Sequence, residues 1–237
     1  MTNLIEVAAA SVLDNPIWHS LTGAHRALAL TDGRAARYPA DVSPFMALPA
    51  DATPAEWEQL GRLADGDPVL IMDAPDSAPS SWTLVRHLPL YQMVATDALM
   101  ARVPREDPAF AIETLGPSAT DDMIELARTA RPGPFERRTP LLGTYLGVRD
   151  KGKLIAMAGE RMRPGGWTEV SAVCTDPDHR GRGLARALTE RLIDGIVERG
   201  ERPFLHLVTE NENALRLYSA MGFVIRRTAA NSTYQPA

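Results

Sequence analysis

The chain has a single cysteine, Cys174, among 237 residues. That excludes an internal disulfide and fits a reducing compartment. Lysine is almost missing: Lys151 and Lys153 are the only two. Histidines aside, the remaining cations are all Arg, which we read as genome composition and not as a binding signal. No apolar run approaches the roughly 18 residues that a membrane-crossing helix needs. No basic leader precedes an apolar stretch, and Glu6 and Asp14 sit early, so no signal peptide is expected and a cytoplasmic location is. The net charge is −5, and no basic cluster stands out beyond one glycine loop, which argues against nucleic acid as a partner. No His/Cys/Asp/Glu group has metal-ligand spacing, so no metal is expected. The Walker-type phosphate loop and the Gly-x-Gly-x-x-Gly fingerprint are both missing.

What remains is organised around Thr168 to Ala185, TEVSAVCTDPDHRGRGLA. Strand alternation predicts Val170, Ala172 and Cys174 on one side, with Glu169, Ser171, Val173 and Thr175 on the other. Asp176-Pro177-Asp178 ends the strand because Pro offers no ladder N–H. Arg180-Gly181-Arg182-Gly183-Leu184-Ala185 then opens a helix with an apolar face at Leu184, Leu188, Leu192, Ile193 and Ile196. The first amides of a helix lack partners and carry its positive dipole end. Glycines let that backbone approach a ligand closely. Such a junction cradles anions, phosphates above all.

Arg180, Gly183 and Ala185 make an R-x-x-G-x-A pattern that resembles the acyl-CoA pyrophosphate loop of the GNAT superfamily of N-acetyltransferases. Asn211 to Phe223, NENALRLYSAMGF, is similar to the second signature of that family, and the two stand in the usual order. The resemblance covers about 110–227. It implies an α+β fold: a mixed, mostly antiparallel central sheet with flanking helices.

A chain of this length suggests one large or two small domains, and 45% hydrophobic residues suffice for a core. The segment 96–108, rich in Pro and charge, is the linker candidate. It divides a smaller α/β N-terminal domain, 1–105, from a catalytic domain, 106–237. The two-half layout looks like the glycine N-acyltransferase type, with a degenerate GNAT-like first half. Residues 1–20 read as helical with a new start at Asn15-Pro16. Thr53-Pro54-Ala55-Glu56 starts another helix with Trp57 and Leu60 buried. Trp82 to Val94 is strand-like but interrupted at Pro89. The second half reads as six strands and about three helices, the last strand ending near Thr228. His19, His25 and His87 are isolated and read as surface or packing residues.

The resemblance assigns work to particular residues. The amides of Arg180, Gly181, Arg182, Gly183, Leu184 and Ala185 would hold the pyrophosphate. Val173, Cys174 and Thr175 would offer backbone N–H groups to the pantetheine and thioester, where the strand splays from its neighbour. Val208 would line the other wall, and Asn213 would contact the cofactor arm. Tyr218 matches the general acid that protonates the departing thiolate. Glu169 stands eleven residues before Arg180, as a glutamate does in histone-type members, and is the expected base. Glu160 is the reserve, and the two carboxylates could share a site, which would raise one of their pKa values. Cys174 has no His partner in sequence, so direct transfer is expected over an acyl-enzyme. Acetyl-CoA is the implied co-substrate. A small-molecule amine is the expected acceptor, a protein amine or a homodimer staying open, and a non-catalytic acyl-CoA sensor is the alternative. The loop 130–139, carrying Arg131, Arg137 and Arg138, would overlie the acceptor and offer cations to a carboxylate.

Overall fold

The computed structural model describes residues 11–75, 78–103 and 110–236. The first ten residues of the expected N-terminal helix, part of the linker candidate (104–108) and Ala109 lie outside them. Helix α1 (Pro16–Thr22) starts as the sequence suggests: Asn15 Oδ1 accepts from the Trp18 amide and Pro16 opens the helix. Three short strands follow, β1 (Leu30–Asp32), β2 (Ala35–Arg37) and β3 (Phe45–Ala47), then α2 (Pro54–Ala64) and β4 (Val69–Met72). A capping box between Thr53 and Glu56 fixes the start of α2. Its Trp57, Leu60 and Ala64 bury themselves against Met46, Leu48, Val69 and Ile71.

Strand β5 (Trp82–Ala95) runs straight through Pro89, contrary to the expected interruption. The Pro89 carbonyl accepts from Thr209 N–H, so this residue's backbone groups face the side on which β10 (Arg202–Val208) lies. The β10 ladder ends one residue earlier, at Leu90 opposite Val208. The N–H that proline lacks would therefore also point to that side, at the last pair of a short ladder, and the long ladder to β11 on the other edge loses no bond.

After α3 (Asp97–Met100) come β6 (Ile112–Thr114), α4 (Thr120–Ala130), β7 (Tyr145–Asp150), β8 (Lys153–Glu160), β9 (Trp167–Thr175), α5 (Leu184–Glu198), β10, α6 (Glu212–Met221) and β11 (Phe223–Pro236). Among the described residues the second half thus holds six strands, as read, but β11 continues well past Thr228. The eleven strands of the described residues form one sheet in the order β1-β2-β3-β4-β11-β5-β10-β9-β8-β7-β6. The sheet does not break at 105/106, because β5 of the first half lies between β10 and β11 of the second. The class is α+β with a mixed sheet, as expected.

Helices cover both faces. Helix α5 packs Leu184, Leu188, Leu192 and Ile196 on Leu146, Ile155, Ala158 and Val170. On the opposite face α4 packs Met123, Leu126 and Ala127 on Met157, Ala172 and Cys174. The N-terminal segment continues that second face, where Leu13, Ile17, Tyr38 and Phe45 meet Trp167 and Phe204. Among the described residues no helix is long and apolar enough to cross a membrane.

Candidate active site

Strand β9 departs from simple alternation. Ala172 has φ +52°, and the register to β8 shifts between Gly159, opposite Ser171, and Met157, opposite Cys174. This bulge gives β9 an extra residue. Val173 therefore joins Val170 on the α5 face, while Ala172 and Cys174 face α4. The expected set of Val170, Ala172 and Cys174 on one side is corrected accordingly.

On its other edge β9 pairs in parallel with β10 at three positions only, ending with Glu169 opposite Phe204. Beyond them β9 runs to Thr175 and β10 to Val208 without pairing, which leaves a V between two central strands. Strand amides alternate in direction. The Asp176 N–H points to β8, where the Ile155 carbonyl accepts it, so those of Thr175 and Val173 point into the gap. That of Cys174 turns to β8, so of the three expected amides two are aimed at the V. The Cys174 side chain is buried, and burial pushes its thiol up to about 12. A thiol so disfavoured as thiolate is a poor nucleophile at neutral pH.

Past the mouth of the V lies the glycine loop. Gly181 and Gly183 hold φ +75° and +81°, the left-handed region that glycine enters without strain. Gly183 is the N-cap of α5 and supplies no side-chain cap. The amides of Gly181 through Arg186 make no hydrogen bond to any described residue. Arg180 and Arg182 have no acidic partner among the described residues, and the first turn of α5 carries no acid. Unpaired amides, a positive dipole end and two cations suit a diphosphate. A tether braces the loop: Lys153 Nζ lies 2.7 Å from Asp176 Oδ2, and Asp176 Oδ1 accepts from the Asp178 amide.

On the wall made by β10 and α6, Val208 is half-buried and Asn213 lies exposed on the first turn of α6. Asn213 Oδ1 accepts from Arg216 at 2.5 Å. The N-cap of α6 is Asn211. Tyr218 is buried edge-on to Phe223, ring centroids 5.9 Å apart. Its hydroxyl makes no hydrogen bond to a described residue. Burial, with the Cys174 thiol adding to it, raises its pKa and keeps the phenol protonated. Protonation is what a proton donor needs.

Glu169 is another matter. It is 0% exposed, and both of its oxygens are taken. Oε2 accepts from Arg161 Nε at 2.8 Å, Oε1 from Arg161 Nη2 at 2.7 Å and from His206 Nδ1 at 2.8 Å. Burial alone would raise its pKa, but the Arg161 charge and the hydrogen bonds from Arg161 and His206 outweigh that and hold it at about 2. A carboxylate so stabilised does not keep a proton taken from an amine. This arrangement speaks against the expected role of Glu169 as the base and suits a fixed negative charge.

The expected sharing between Glu160 and Glu169 is overturned as well. Glu160 stands opposite Val170 in the β8/β9 register, on the α5 face, where Arg199 Nη2 pairs with it at 2.7 Å. Glu169 points the other way.

Sequence reasoning missed His206 and Arg161, whose meaning emerges only across strands. Glu169, His206 and Gln92 form a row over β9, β10 and β5. Gln92 Nε2 donates to the Leu13 carbonyl at 2.8 Å and approaches His206 Nε2 at 3.0 Å. Gln92 Oε1 accepts from Arg226 Nη1 at 2.8 Å. With the amide so oriented, His206 Nε2 is an acceptor and Nδ1 carries the proton that Glu169 receives.

The loop after α4 closes over this end. Phe135 stacks edge-on against Tyr145 at 5.7 Å. Thr139 Oγ1 donates to the Val42 carbonyl at 2.7 Å and Arg138 pairs with Asp41 at 3.2 Å. Arg137 pairs with Asp121 at 2.9 Å. Two of the three loop arginines expected to greet a carboxylate thus already have one. The Tyr145 ring occupies the space above Gly159, where an added Cβ would stand 2.3 Å from it. Gly159→Ala should destabilise by about 1–3 kcal/mol through overpacking. Unfolding in denaturant within 0.5 kcal/mol of wild type, a tolerance of about the size of ordinary surface effects, would count against this packing.

Among the described residues no cluster of three or more His, Cys, Asp or Glu could hold a metal ion.

Similarity to known proteins agrees with this geometry. The family model described as FR47-like protein matches residues 145–231. A solved structure from Novosphingobium aromaticivorans, assigned as an acetyltransferase of the GNAT family, is 37% identical, with a TM-score of 0.84. The alignment covers 95% of this chain and 99% of that one. N-alpha-acetyltransferase RimI of Mycobacterium tuberculosis is 38% identical over 82 residues, 33% of this chain and 51% of that protein. Mycothiol acetyltransferase of Beutenbergia cavernae is 37% identical over 73 residues, 30% of this chain and 25% of that protein. The chain thus spans only a quarter to about half of these two relatives.

Proposed function

This chain belongs to the GNAT family of acetyltransferases, and from that premise we propose that it moves an acetyl group from acetyl-CoA directly to a primary amine. The observation that carries the proposal is the run of unpartnered amides from Gly181 to Arg186 at the head of α5, beside the gap between β9 and β10. Acetyl-CoA supplies an activated carbonyl and a diphosphate handle. The loop amides, with Arg180 and Arg182, hold the handle. The Val173 and Thr175 amides, aimed into the V, polarise the carbonyl. Val208 and Asn213 flank the pantetheine arm.

The chemistry balances as follows. The amine nitrogen forms a C–N bond while the C–S bond breaks. Tyr218 gives its proton to the departing sulfur and regains one, through water, from the newly acylated nitrogen. Glu169 stays ionised beside Arg161 and closes the end of the V. Cys174 takes no covalent part.

Calorimetric titration with acetyl-CoA tests the cradle. We expect wild type to bind in the micromolar range, about −8 kcal/mol, and Arg182→Glu to bind at least ~10-fold more weakly, because a like charge replaces a cation beside the diphosphate. Equal affinities would remove the loop from the binding site.

A further inference from the structure

Resting on the acetyl-CoA reading above, we propose that the tip of the β7–β8 hairpin is a clamp on the diphosphate cradle, with Lys153 acting through Asp176 as a positioning residue for the co-substrate.

The cradle does not hold itself in place. Between the Arg180 amide, which donates to the Pro177 carbonyl, and the Gly183 carbonyl, which accepts from Ala187, no backbone hydrogen bond ties it to a described residue. Packing does not hold it either: a Cβ added at Gly181 or Gly183 would meet nothing within 4 Å. Its shape is therefore set at its two ends. One end is α5, anchored by Leu184 and Leu188 in the core. The other is the turn Pro177–His179, and that turn depends on Asp176.

Asp176 is 5% exposed, and its polar groups are engaged. Its amide donates to the Ile155 carbonyl of β8 at 2.8 Å, and its carbonyl accepts from the His179 amide at 2.9 Å. Oδ1 accepts from the Asp178 amide at 3.0 Å and Oδ2 from Lys153 Nζ at 2.7 Å. The hydrogen bond from Lys153, ahead of that from the Asp178 amide, holds the carboxyl down at about 2, so the pair stays ionised at neutral pH.

The hairpin tip is rigid enough to act on the turn. Lys151 and Gly152 hold φ of +49° and +84°, the tight two-residue connection that matches the twist of its strands. Asp150 stands opposite Lys153 in the register. The tip thus offers one charge of each sign: Lys153 to Asp176, and Asp150 to His179, whose Nε2 lies 3.4 Å from Asp150 Oδ2. An exposed ion pair ordinarily contributes little. Here one partner is buried and the loop beyond it has no bond of its own. Loosening the turn leaves the cradle to be ordered by the ligand, at a cost in affinity.

The test is calorimetric titration of the full chain with acetyl-CoA. Lys153→Met should weaken binding about 10-fold, and Lys153→Arg, which restores the cation, less than about threefold. Lys151→Met removes the same charge from the same hairpin, leaves the Asp176 contact in place, and should bind as wild type does. Asp176→Ala should weaken binding at least as much as Lys153→Met. The double variant should lose no more than Asp176→Ala alone, because the two residues act as one unit. Unfolding midpoints of the Lys153 variants in denaturant should match wild type. Wild-type affinity in Lys153→Met, an equal loss in Lys151→Met, independent losses in the double variant, or a midpoint that drops along with the affinity would each overturn the clamp and leave the cradle standing. So would tighter binding by Asp176→Ala, the result expected if Lys153 touched the diphosphate directly and Asp176 only repelled it. If the wild type does not bind acetyl-CoA, the acetyl-CoA reading falls and takes the clamp with it.

Discussion

Glu169→Ala should lose about 3–5 kcal/mol of folding stability, because it strands the Arg161 charge beneath the N-terminal segment. Arg161 and Glu169 are worth little to the fold against an apolar pair of the same shape; removing one partner is what costs. Glu169→Gln keeps an acceptor for Arg161 and His206 and should lose less. The acid limb gives a second check. Glu169 titrates at about 2 in the folded chain, below an ordinary glutamate at about 4.3. As pH falls, the unfolded chain therefore takes up this proton first. The contribution is whole above the unfolded value and drains away as pH drops through the folded one. Denaturant unfolding at pH 6 and pH 3 should show the gap between wild type and Glu169→Gln narrowing at the lower pH. A gap of equal size at both would mean that the carboxylate is not held ionised as the Arg161 geometry requires.

Tyr218→Phe should cost at least ~100-fold in kcat, the usual scale for losing a positioned proton donor. Acetyl-CoA affinity should hold, since the ring and its contact with Phe223 remain. Stability should hold or improve, because the deleted hydroxyl has no hydrogen-bond partner among the described residues. A variant within threefold of wild-type kcat, with the fold intact, would make Tyr218 a packing residue.

The parts of the site legible in sequence are the local ones. Glycines at Gly181 and Gly183, arginines beside them and an apolar helix face behind them all fall within one strand–turn–helix, so their spacing carries their meaning. The helix read from Asn213 to Met221 within the second signature was legible for the same reason. Features set by distant partners were not. The Ala172 bulge depends on the register with β8, and it alone decides that Val173 and Cys174 face opposite ways from the simple pattern. Glu169 sits at the distance expected of a base, yet its chemistry is settled by Arg161 and by His206, which follows it by 37 residues. Pro89 reads as an interruption until one sees that its missing N–H faces the end of the β10 ladder and not the long ladder to β11. The course of β11 past Thr228 was hidden too, because its polar residues fit a strand only once β4 and β5 flank it.

The place of β5 bears on how the molecule is made. Both of its neighbours, β10 and β11, follow it by more than a hundred residues of chain: Val94 pairs with Phe204 and Ala95 with Phe223. During synthesis β5 therefore emerges without its partners and waits with two open edges, an aggregation-prone interval that long-range pairing prolongs. The segments shared with the two acetyltransferase relatives, 82 and 73 residues long, are each shorter than the unit that must fold. A fragment cut to either length would leave the ribosome with its central sheet unfinished.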